Sequence, residues 1–214
     1  MKRVVAYVDG FNLYHSLLDL HVDHYKWLDL RRLLRNFAPA SDNALPHIFY
    51  FTAYAYWRKD SMARHKEYVA ALADSGVTPI IGRFKEKDRE CLSCGYKWIH
   101  HEEKESDVAI GVSLMSGALK NQFDKALLLT RDSDLVPAVR QVKKLAPEKE
   151  IVILTPDWDK KPFELVKAAG GRGQHRAIKQ IHIERSLLPY KVFDAGGTLI
   201  ATRPTEYDPP SRSP

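Results

Sequence analysis

Ala126-Leu127-Leu128-Leu129-Thr130-Arg131-Asp132-Ser133-Asp134 is the stretch whose reading decides the fold. Its first four residues are too few and too uniformly apolar for a surface helix. They read as a strand buried on both faces of a parallel sheet. Carboxylates then stand where that strand ends and a helix begins. The N-terminal run Val4-Val5-Ala6-Tyr7-Val8 leads into Asp9-Gly10-Phe11-Asn12 in the same way. In open α/β sheets, ligands bind at the carboxyl ends of strands. Two strands that both end in aspartate imply a shared carboxylate cluster, and such a cluster calls for a cation.

Outward from these two strands, strand and helix signals alternate along the chain, which implies a parallel α/β sheet flanked by helices. Helical spacing covers 12–20, a stretch capped by Asp29, and 61–75 with Gly76 closing it. It returns at 106–119, 133–145 and 163–169, while strands are expected at 47–56, 77–81, 150–155 and 178–183. Residues 83–103 break the pattern with a charged excursion around Cys91-Leu92-Ser93-Cys94-Gly95. The expected organisation is one domain over 1–185, an extension over 186–202 and a disordered tail over 203–214.

With 44% hydrophobic residues, the 214-residue chain can bury a sizeable core. A net charge of +6 and a pI of about 9.2 favour polyanionic partners such as nucleic acid. Asp9 interrupts the N-terminal apolar run too early for a signal-peptide core. No stretch approaches the roughly 20 apolar residues of a membrane span. The expectation is a soluble, cytoplasmic protein without a membrane partner. Its oligomeric state stays open, with a homodimer among the options.

Asp9-Gly10-Phe11-Asn12, Lys104-Glu105-Ser106-Asp107 opening a helix, and Arg131-Asp132-Ser133-Asp134-Leu135-Val136-Pro137 resemble, in this order, the NYN domains. These are PIN-like nuclease domains, and the closest likeness is to the LabA-like branch. The resemblance implies a Rossmann-like (PIN-like) sheet and a metal-dependent endoribonuclease site. Asp9, Asp107, Asp132 and Asp134 match the acidic positions that hold Mg²⁺ or Mn²⁺, with Asn12 as the polar companion of Asp9. Arg131 departs from the pattern, standing where a small residue is expected, and its cation could compete with the metal.

Mg²⁺ and Mn²⁺ take hard oxygen ligands, and one or two such ions can activate water against a phosphodiester. Single-stranded RNA is the implied substrate. Tyr54, Tyr56, Trp57 and Trp98 lie among basic residues and offer stacking surfaces for unpaired bases. An RNA- or protein-binding module with a weak or inactive site is the competing expectation. Each aspartate also has a plainer role: Asp134 can cap the helix after it, and Asn12 the first helix. Thr130 and Ser133 read better as turn residues than as ligands. Cys91-x-x-Cys94-Gly95 has the form of half a zinc knuckle, with His100 and His101 as candidate partners for a structural Zn²⁺. A reduced, unligated pair and a redox pair are its alternatives.

Overall fold

The computed structural model describes residues 1–210. Six parallel strands form the central sheet: β1 (Lys2–Asp9), β2 (Asn43–Thr52), β3 (Thr78–Ile81), β6 (Lys125–Leu129), β7 (Glu150–Pro156) and β8 (His175–Ile178). Their order is β3-β2-β1-β6-β7-β8. The chain builds outward from β1 in one direction, then returns to its other side and builds the opposite way. This is the doubly wound arrangement, and its direction reverses between β1 and β6.

Both faces of the sheet are covered, which is why its central strands read as continuous apolar runs. Val4, Ala6 and Val8 of β1 share one core with Leu127 and Leu129 of β6. Helices α1 (Gly10–Leu18), α2 (Leu30–Arg35) and α3 (Lys59–Asp74) contribute to that face. Val5 and Tyr7 point the other way, into a second core with Ala126 and Leu128. Helices α4 (Ser106–Leu119), α5 (Val136–Leu145) and α6 (Phe163–Ala169) cover it.

Three parts of the chain differ from the sequence expectation. The excursion after β3 is a long antiparallel ribbon of β4 (Arg83–Glu90) and β5 (Lys97–Lys104), paired from Arg83↔Lys104 to Glu90↔Lys97. Residues 178–183 do not form a strand. Ile178 ends β8, and α7 (Gln180–Glu184) follows, because Ile183 turns inward while Ile181 is left exposed. The alternation of Ile181 and Ile183 imitated a strand without being one.

The third difference lies at the C-terminal end. Residues 186–202 carry a hairpin of β9 (Lys191–Phe193) and β10 (Leu199–Thr202), tied to the body where Trp27 Nε1 donates to the Pro189 carbonyl at 2.8 Å. The tail expected to be disordered from Arg203 instead has a 3-10 turn at Thr205–Tyr207. Tyr207 packs against the first core and Glu206 pairs with Arg64 at 2.8 Å, so burial and charge hold this segment. Residues 211–214 lie outside the described part. No helix among the described residues is long and apolar enough to cross a membrane.

Candidate functional site

Val8 of β1 stands in register with Leu129 of β6, so the next residues, Asp9 and Thr130, emerge side by side at the switch point. Gly10 follows Asp9 because nothing larger fits. A Cβ there would lie 2.6 Å from the Phe51 carbonyl oxygen and 2.8 Å from the Tyr50 ring.

Asp9 is 4% exposed, and its two carboxylate oxygens are both used. Oδ1 accepts from the backbone N–H of Asn12, capping α1, and Oδ2 accepts from the Thr130 hydroxyl, each at 2.9 Å. Thr130 Oγ1 in turn accepts from the Asp132 N–H at 3.1 Å. The threonine set aside as a turn residue is therefore the bridge between the two aspartate loops. Asp132 Oδ1 accepts from the Asp134 N–H at 2.8 Å and caps the 3-10 turn Ser133–Leu135 that leads into α5. The cap is thus Asp132, and Asp134, expected as the alternative cap, is exposed.

Asp107 enters from the first turn of α4. Its carboxyl is pushed up to about 6, first by burial and then by Asp132, Asp9, Glu103 and Asp134. Burial also raises Asp9. The Asn12 and Thr130 hydrogen bonds pull it back, and Asp132 and Glu103 add to the rise. Asp9, Asp132 and Asp134 are thus all within electrostatic reach of Asp107, and Asp132 is within reach of Asp9. Glu103 is a fifth carboxylate that sequence reasoning missed. It lies at the end of β5, where its Oε1 accepts from the Ser106 N–H at 3.2 Å and from the Ser106 hydroxyl. A glutamate inside the run His100-His101-Glu102-Glu103-Lys104 gives no periodic signal that it faces a site.

Arg131 does not reach into this cluster for a partner. Its guanidinium donates to Asp159 Oδ1 at 2.9 Å, and the Asp159 side chain is only 3% exposed. Ser16 Oγ donates to the other oxygen of Asp159. Asn12 Oδ1 accepts from the Arg131 N–H at 3.2 Å, so Asn12 fastens the Arg131 loop to α1. The cation that stood out in the sequence is anchored elsewhere, by an aspartate 28 residues away.

Aromatic rings line the approach from the base of the ribbon. Trp57 stacks on His101 with centroids 3.5 Å apart and meets Phe84 edge-on, and Phe84 meets Phe11 beside the Asp9 loop. His101 is therefore occupied at the ribbon's base. Cys91 faces Tyr96 across the ribbon's turn, and His100 lies four residues further along β5. At roughly 3.3 Å per residue that is about 13 Å, too far for His100 or His101 to share an ion with the two cysteines.

The donor set at the switch point is all oxygen, which suits a hard divalent cation and not a soft one. Burial and the repulsion of neighbouring carboxylates together raise Asp107, and a cation would relieve the repulsion. No three of these carboxylates converge on one point among the described residues. The fit is therefore to an ion held by one or two carboxylates, with water and substrate oxygens completing its shell.

A doubly wound α/β domain with a group of carboxylates at its switch point is the class that this fold and site define. Within that class the chain belongs to the NYN domain family, whose model matches residues 3–171. The chain is 28% identical over 177 residues to 6-hydroxy-3-succinoylpyridine 3-monooxygenase HspA of Pseudomonas putida, a match covering 66% of this chain. It spans about half (55%) of that relative's length. The crystal structure of a protein of unknown function from Vibrio parahaemolyticus shares the fold. Its TM-score is 0.58 at 16% identity, over 87% of this chain and 96% of that one.

Proposed function

We propose that this protein is a metal-dependent endoribonuclease acting on single-stranded RNA in the cytoplasm, of the LabA-like branch of its family. The observation that carries the reading is the raised carboxyl of Asp107. Burial raises it first, and four further carboxylates, Asp132, Asp9, Glu103 and Asp134, add to the rise. Evolutionary descent from PIN-like nuclease domains supports the same chemistry. One or two of Asp9, Asp107, Asp132 and Asp134 would hold Mg²⁺ or Mn²⁺ directly, with the others and Glu103 adding negative charge around it. Such an ion supplies an activated water and neutralises charge that develops on the phosphodiester.

The chain's own residues orient the site. Thr130 and the Asn12 N–H hold the Asp9 carboxylate in one direction, and the Asn12 side chain keeps the Arg131 loop in place. The half-buried Trp57 and Phe11 give unpaired bases a surface to stack on at the crevice edge. Arg58 and Lys59, exposed and next to Trp57 in the chain, would meet the phosphates.

Labelled single-stranded RNA incubated with Mn²⁺ or with EDTA tests this reading. The expected result is cleavage with Mn²⁺ alone, lost in Asp9→Asn and Asp132→Asn variants that still fold. Cleavage undiminished by EDTA would remove the metal mechanism. RNA retained but never cut would assign the protein as a binding module.

A further inference from the structure

From Lys85 to His100 every residue of the β4–β5 ribbon is exposed, with one exception, Cys91. The turn around it is built to present sulfur. The Cys91 N–H donates to the Tyr96 carbonyl and the Gly95 N–H to the Cys91 carbonyl, both at 2.8 Å. Gly95, at φ +69°, supplies the left-handed residue this turn requires. The turn thus brings Cys91 and Cys94 to the exposed tip, and cysteine binds metal as thiolate.

Two thiolates are half of the tetrahedral set that zinc takes in structural sites. Among the described residues no three His, Cys, Asp or Glu side chains gather around a common point, and His100 and His101 are well down the ribbon. We infer that the ribbon tip is a two-cysteine half-site for Zn²⁺, completed by Cys91 and Cys94 of a second copy of this chain.

A two-fold axis presents the same patch twice, so one pair of thiolates becomes four without any new residue type. The ribbon suits such an approach. Residues 85–100 carry four basic and three acidic side chains, near balance in a chain of net charge +6, so two tips meet with little repulsion. Leu92, Tyr96, Trp98 and Ile99 are exposed around the turn, with Tyr96 stacked on Trp98 at 6.1 Å, and give the paired tips apolar surface to bury. This inference is independent of the carboxylate site.

The test uses the full chain, purified in reductant without chelator, for metal analysis and for mass by light scattering. The expected result is a dimer with one zinc per two chains. EDTA or Cys91→Ser should release the zinc and give monomers of unchanged far-UV circular dichroism. Leu92→Asp, which keeps both thiols, should weaken the dimer at least tenfold. Co²⁺ in place of zinc should show the intense absorption of a tetrahedral four-thiolate site. One zinc per chain, a monomer whatever the zinc content, or a dimer that survives Cys91→Ser would each overturn the inference. So would two freely titrating thiols after zinc is added.

Discussion

Asp107→Asn should make this protein more stable and less active at once, and the size of the gain should depend on pH. An ordinary aspartate titrates near 3.8, whereas Asp107 is pushed up to about 6 by burial and four neighbouring carboxylates. About two decades of proton affinity convert to about 3 kcal/mol if nothing screens the charge. The group is only partly buried, so solvent screening leaves ~1 kcal/mol. A carboxyl raised in the folded state contributes full stability below the unfolded value and loses it as pH rises through the folded one. The wild type should thus lose ~1 kcal/mol between about pH 4 and 7, and asparagine should not. In EDTA at pH 8 the variant should melt about 2–4 °C above wild type, and at pH 4.5 the two should nearly coincide. Mn²⁺ should then raise the wild type more than the variant, because only the wild type gains a ligand for it. A variant equal to or below wild type at pH 8, or a gain the same at both pH values, would show that the carboxylates do not press on one another.

Three further outcomes can be checked by denaturant unfolding alongside RNA cleavage. Asp132→Ala should cost about 1 kcal/mol because it removes a cap, whereas Asp134→Ala should stay within roughly 0.5 kcal/mol; both should depress cleavage far more than stability. Arg131→Met should cost about 2 kcal/mol by stranding Asp159, should lose most of that cost in combination with Asp159→Asn, and should not tighten Mn²⁺ binding. Thr130→Val keeps the shape but removes a hydroxyl that favours ionised Asp9, so it should cost about 1–3 kcal/mol and move the acid limb of the activity profile to higher pH.

The central sheet was legible because burial on both faces leaves a plain mark. Val4–Val8 and Ala126–Leu129 are apolar without a break, and the first polar residue after each marks the crevice. The same logic explains what was hidden. The β4–β5 ribbon is held by its own backbone ladder and buries almost nothing, so no apolar pattern betrays its strands. Glu103 sits on that ribbon and inherits its silence. Asp159 is read as one more acid in Asp157-Trp158-Asp159-Lys160, since only the fold brings Arg131 and Ser16 to it. Thr130 looked ordinary for a similar reason, as its partners lie on another strand.

Capping and ion-holding were opposed in the sequence as competing roles for these aspartates, and the geometry removes the opposition. Asp9 and Asp132 each cap a helical turn that starts where a strand ends, because a doubly wound sheet places strand ends and helix starts at the same rim. A capped carboxylate gains from the unpaired N–H groups and positive end of the helix, which offsets part of the cost of crowding like charges. Each oxygen that accepts one hydrogen bond still has a second lone pair for another partner. The cap therefore fixes the direction of the remaining lone pairs at the crevice before any ligand arrives. Reversal of the strand order between β1 and β6 then brings two such capped aspartates together, with Thr130 as the strut between them. The same N–H groups that begin the helices thus hold the charges that the proposed chemistry uses.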